Sequence, residues 1–133
     1  MRQFRTLLVL LVAFGATGRA QSTSAATKAT PDLTSVKKDL VSVRTMQETW
    51  YSNHNGYSNN LGVIDYKPTD GVKVKVLEFN KDAYSVSGTI GDDKTASCVM
   101  FIGRVAEIPK TAGGKQARAE GEVLCDGTSE PPK

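Results

Sequence analysis

Cys98, Cys125 and His54 are the side chains in this sequence best suited to redox, metal or nucleophilic chemistry. The two cysteines lie far apart and each falls on a strand-like segment, so one structural disulfide is the simplest use for them in an exported chain. A redox pair usually keeps its cysteines two residues apart, and a metal site needs more ligands than the distant His54 supplies. His54 is also the one general-base candidate of the usual kind. Set between Asn53 and Asn55 at the end of a helical pattern, it reads as an exposed side chain or a cation at the helix C-terminus. The sequence has no Gly-x-Ser-x-Gly turn, phosphate-binding glycine loop or His-Glu-x-x-His pair, which argues against an enzyme of a familiar class and against a metal or cofactor. Asp92-Asp93 and Glu120-x-Glu122 are oxygen donors that suit calcium only if the last strands bring them together. Without the spacing of a calcium loop, an exposed acidic turn is the simpler reading. Trp50, Tyr51 and Tyr57 offer an aromatic recognition patch, against core packing for Trp50 and loop packing for the tyrosines.

The elements that position these residues begin with a helix. Thr30-Pro31-Asp32 reads as its start, with Thr30 as N-cap, Pro31 at the first helical position and Asp32 favourable against the helix dipole. Leu33, Val36, Leu40, Val43, Gln47 and Trp50 then recur at steps of three and four, with Val41 and Met46 beside the stripe. This spacing predicts an amphipathic helix about 22 residues and roughly 33 Å long, ending near Asn53 with Gly56 as terminator. The stripe has to face a sheet or a partner, and it lacks the Leu and Ile content of a coiled-coil seam. Asn55 to Asp70 is turn-rich and reads as a structured loop. Val72, Val74 and Val76 alternate with Lys73 and Lys75, and Tyr84, Val86 and Ile90 alternate with Ser85, Ser87 and Thr89. Joined by Asn80-Lys81-Asp82, the two runs form an antiparallel hairpin. Alternation slips at Leu77 to Phe79, where either a bulge or an early strand end is required. Gly88 leaves a gap on the inner face that a bulky side chain such as Trp50 could fill. Cys98 to Ile102 reads as an interior strand, Ala106 to Gly121 as a polar excursion and Glu122 to Cys125 as a last short strand. The expected class is α+β, with one long helix across an antiparallel sheet of three or four strands.

Ahead of this domain, Arg2 and Arg5 precede an apolar run from Leu7 to Ala16, and Gly18-Arg19-Ala20 supplies small residues for cleavage. Residues 1–20 read as a secretory signal peptide, too short in its apolar part to span a bilayer. No cysteine follows the run to be lipidated, so membrane contact would come only through an uncleaved leader. Residues 21–30 form a Ser/Thr/Ala-rich spacer, 31–127 the domain and 128–133 a loose tail. The leader's three arginines account for the whole formal charge of +3. Without them the basic groups equal the 14 acidic ones, and the alkaline pI gives no support to nucleic-acid binding.

The stretch Asp39-Leu40-Val41-Ser42-Val43-Arg44-Thr45-Met46-Gln47-Glu48-Thr49-Trp50-Tyr51-Ser52-Asn53-His54-Asn55-Gly56-Tyr57-Ser58 resembles the amphipathic half of the long helix in bacterial type IV pilins and pseudopilins. Gly71-Val72-Lys73-Val74, Ala83-Tyr84-Ser85-Val86 and the late pair Cys98 and Cys125 extend the resemblance over about residues 33 to 127. It implies a headpiece of one helix on an antiparallel sheet with a C-terminal disulfide loop, and protein partners such as pilus or secretion components or a surface receptor. The pilin leader, with its Gly-Phe/Met junction and glutamate in a long apolar helix, has no counterpart here, and residues 21–31 interrupt any continuous helix. The expected protein is therefore a non-enzymatic, exported, pilin-like structural, adhesive or assembly component at the cell surface. The alternative is a soluble periplasmic or secreted binding or inhibitor module on the same fold. Asn55 to Asp70 and Ala106 to Gly121 are the expected contact loops.

Overall fold

The computed structural model describes residues 31–127. The expected signal peptide (1–20), the expected spacer with Thr30, and the expected tail lie outside the described residues. Within them is one α-helix, α1 (Leu33–His54), followed by β1 (Val72–Phe79), β2 (Tyr84–Ile90), β3 (Cys98–Ile102) and β4 (Leu124–Cys125). The strands form one antiparallel sheet in the order β1-β2-β3-β4, with α1 packed across one face. No helix among the described residues is long and apolar enough to cross a membrane.

The helix starts two residues later than its Thr-Pro signal suggests. Asp32 is the N-cap, in extended conformation, and its carboxylate accepts the Ser35 N–H at 3.0 Å. A short acceptor side chain on extended backbone can reach back to the free amides of the first turn, so Asp32 caps the helix from outside rather than acting on its dipole from within. At the other end Asn55, not Gly56, ends the helix. It takes the left-handed conformation (φ 52, ψ 42), which asparagine tolerates, and its N–H donates to Tyr51 O at 2.7 Å.

Val36, Leu40 and Val43 are fully buried against Tyr84, Val86 and Met100, while Leu33 and Trp50 are half-buried at the margin. The gap at Gly88 is filled by Val36 rather than Trp50. A Cβ built on Gly88 would lie 2.5 Å from Val36 Cγ1 and 3.4 Å from Leu40 Cδ2. The helix therefore crosses the sheet near its own N-terminal half, which leaves Trp50 out toward the rim. The slip at Leu77 resolves as a β-bulge between Val76 and Glu78, after which pairing resumes as Glu78 with Ser85 and Phe79 with Tyr84.

Cys98 and Cys125 form the disulfide, with Cα atoms 4.0 Å apart. Asp126 N–H donates to Ser97 O at 3.0 Å, so the adjacent pair, Cys98 with Cys125, is one whose backbone groups point away from each other. Such non-hydrogen-bonded pairs bring side chains closest, which suits a bond across neighbouring strands. Closing a loop of 27 residues stabilises the chain by about 3.5 kcal/mol in the chain-entropy account. A strand as short as β4 depends on this staple more than on its two ladder positions. On the opposite sheet face, Val99 and Phe101 bury against Ala117, with Val105 and Leu124 alongside, so the excursion after β3 folds back as a cover.

Because a Cβ at Gly88 would force Val36 or the strand to shift, Gly88→Ala should lower unfolding stability by about 1–3 kcal/mol. Urea denaturation measures this. The loss should shrink in a Val36→Ala background, and a cost below about 0.5 kcal/mol in the wild-type background would contradict the close approach.

Candidate functional site

Two polar side chains lie inside the apolar stripe of α1, and both reach across to the loop between α1 and β1. Asp39 is 5% exposed. Its carboxylate accepts three hydrogen bonds: from the Tyr66 hydroxyl at 2.9 Å, the Thr69 N–H at 2.7 Å and the Thr69 hydroxyl at 2.7 Å. Two turns on, Gln47 is fully buried. Its amide donates to Ser58 O at 2.6 Å and accepts from Ser58 N–H at 3.0 Å, pairing with the loop backbone as a strand residue would. Ile64 is buried and Leu61 half-buried between these anchors. The 55–70 loop is therefore fixed at both ends by charge-assisted or paired hydrogen bonds in a water-poor setting, where breaking one leaves an unsatisfied group. Burial first, and then the neighbouring Asp39, pushes the Tyr66 phenol well above its ordinary value, so it stays a neutral donor.

The aromatic residues at the helix end divide into two groups. Tyr51, Tyr57 and Tyr84 form a chain from surface to core, with ring centroids 4.7 Å apart at each step. Tyr57 donates to Glu48 at 2.9 Å and Tyr51 to Asp82 at 3.3 Å. The buried Tyr84 hydroxyl has no hydrogen-bond partner among the described residues. Trp50 instead stacks on His54, with centroids 3.5 Å apart and planes 7° from parallel. The His54 Nδ1 lies 3.0 Å from Trp50 O, where it donates to a last-turn carbonyl. His54 is thus an exposed C-terminal group lying on an aromatic ring, beside a shallow groove lined by Val63, Ile64 and Asp65.

The acidic pairs do not converge. Asp92 and Asp93 follow the end of β2, whereas Glu120 accepts the Gly103 N–H at 2.8 Å near the beginning of β2. Six strand steps, about 20 Å, separate those ends. Asp92 takes Lys73 at 2.6 Å. Asp93 accepts from the Thr95 N–H and hydroxyl, both at 2.7 Å, and the hydroxyl bond leads in holding its carboxyl below the ordinary value. No group of three or more His, Cys, Asp or Glu able to hold a metal occurs among the described residues.

The second expected contact loop, Ala106 to Gly121, is held by carboxylates that are inconspicuous in the sequence. Glu78, at the bulge, accepts the Ala106 N–H at 2.8 Å and the Glu107 N–H at 3.4 Å. Asp126 accepts from the Thr111 hydroxyl at 2.6 Å, the Ser97 N–H at 2.9 Å and the Gly113 N–H at 3.0 Å. Ser97 adds a bond from the Ala112 N–H at 2.7 Å, and Arg44 on α1 donates to Gly121 O at 2.6 Å. The sequence signal for Asp39 was present, since an acid stands among the apolar residues of the helix stripe. Glu78 and Asp126 carry no comparable mark.

No protein-family model matches the chain, and no curated protein matches it either.

Burial pushes the Asp126 carboxyl up, but the Thr111, Ser97 and Gly113 donors together hold it below its ordinary 3.8. A carboxyl depressed in the folded state stabilises above its unfolded value and loses that contribution as pH falls through the folded one. A pH titration followed by the Gly113 and Ser97 amide signals should therefore show a midpoint below 3.8. Asp126→Asn should abolish that transition. A midpoint at or above 3.8 would contradict the assignment.

Proposed function

We propose that this chain is an exported, non-enzymatic, pilin-like protein that presents two fixed loops to a protein partner at the cell surface. The observation that carries the reading is the latching of both loops. The 55–70 loop hangs from Asp39 and Gln47, and the 106–121 loop from Glu78, Ser97 and Asp126. Loops pinned to a rigid scaffold lose little entropy when they meet a partner, which favours recognition. The long helix across an antiparallel sheet, stapled by Cys98 and Cys125, is the arrangement that the pilin resemblance implies, and the bridge suits an oxidising compartment. The apolar stripe of α1 is consumed by its own sheet, so display rather than helix-helix assembly is the role left to the surface.

Fractionation of the native host, followed by N-terminal sequencing and thiol counting without reductant, tests this reading. The expected product begins at Gln21, lies outside the cytoplasm and has no free thiol. A cytoplasmic product with Met1 retained and both cysteines reduced would overturn it.

A further inference from the structure

β1 lies at an edge of the sheet, and a groove of about 950 Å³ runs along it and reaches over Ser87 and Thr89 of β2. Leu61, Tyr66 and Pro68 of the latched loop line one wall, and Lys73, Lys75 and Lys94 line the other beside Asp92 and Asp93, which are taken up by Lys73 and by Thr95 respectively. The ladder fixes which backbone groups face it. Gly91 N–H donates to Gly71 O at 2.7 Å, so Gly71 with Gly91 is a hydrogen-bonded pair, and by alternation so are Lys73 with Thr89 and Lys75 with Ser87. Val72, Val74 and Val76 therefore turn their N–H and C=O groups away from β2, to the open edge. Thr69 O takes the Val72 N–H at 2.9 Å, while the backbone groups of Val74 and Val76 make no hydrogen bond to any described residue.

We propose that this edge receives an extended segment of a partner protein as a fifth strand, and that the segment alternates apolar and acidic side chains. Main-chain pairing would come from Val74 and Val76, as in other cases where a peptide extends a sheet. Residues facing Val72, Val74 and Val76 would pack against the apolar wall of Leu61, Tyr66 and Pro68. Residues facing Lys73 and Lys75 would fall in non-hydrogen-bonded pairs, where opposite side chains stand closest and opposite charge is favoured. Lys75 and Lys94 have no ion pair among the described residues, and the Lys73 bond to Asp92 is exposed and open to exchange. The same lysines disfavour a second copy of this chain. A two-fold pairing centred on Val74 sets Lys73 against the second copy's Lys75, a like-charge clash of the kind that protects edge strands from self-association. The inference does not depend on where the protein resides or on what the two loops contact.

Three labelled, end-capped heptapeptides test it against the full chain, by fluorescence anisotropy and by amide signals of the protein. One alternates Val and Glu, one alternates Val and Lys, and one is the Val/Glu peptide N-methylated at alternate residues to block pairing. The Val/Glu peptide should bind and shift the Val74 and Val76 amides, with the other two at least about tenfold weaker. Lys75→Glu, an exposed change that leaves the ladder intact, should reverse the preference between acidic and basic peptides. Equal binding of all three peptides, unmoved Val74 and Val76 amides at millimolar Val/Glu peptide, or a stable dimer of the free chain paired through β1 would each overturn the proposal.

Discussion

A carboxylate placed in the middle of an apolar helix stripe has to be paired, and the way Asp39 is paired organises the rest of this molecule. Burying an unpaired charge costs far more than a small domain has in reserve. The three donors that satisfy Asp39 all come from Tyr66 and Thr69, so the loop after the helix must come back to the helix's N-terminal half. That return sets where β1 begins, because Thr69 O also receives the first strand N–H, from Val72. It also sets one wall of the edge groove, since Tyr66 faces it. Gln47 performs the neutral version of the same task nearer the helix C-terminus.

The reverse face of the sheet is held by the same physics. Glu78 and Asp126 gather loop N–H groups that would otherwise need water, and Phe101 and Val99 give the excursion something apolar to cover. The β-bulge brings Glu78 opposite Ser85, on the face where the excursion lies. The disulfide fixes β4 at the point where this cover ends. Helix, sheet and bridge thus supply a frame, and a few carboxylates determine where its irregular segments lie.

Much of the frame was legible from periodicity. Steps of three and four from Leu33 gave the helix, two-residue alternation from Val72 and Tyr84 gave the hairpin, and the lone cysteine pair gave the staple. The misassigned ends have local causes. Asp32 displaces Thr30 as the cap because its side chain reaches Ser35, and Asn55 pre-empts Gly56 because asparagine tolerates left-handed backbone. Trp50 lies at the rim, stacked on His54, because Val36 already occupies the space at Gly88. The loop anchors were the hardest to read, because a hydrogen bond between Asp39 and Thr69 spans 30 positions and leaves no periodic trace. The edge groove was hidden for the same reason. Lysines alternating with valines announce a strand with one wet face, but its place at the sheet edge follows from pairing order alone.

The central claim is that Asp39 and the loop form one coupled unit, and a double-mutant cycle between Asp39→Ala and Tyr66→Phe measures it directly. Unfolding free energies of the two single variants and the double variant should show at least about 1 kcal/mol of coupling, because removing either partner already breaks the bond. Costs that add to within about 0.5 kcal/mol would mean that the buried carboxylate does not hold the loop.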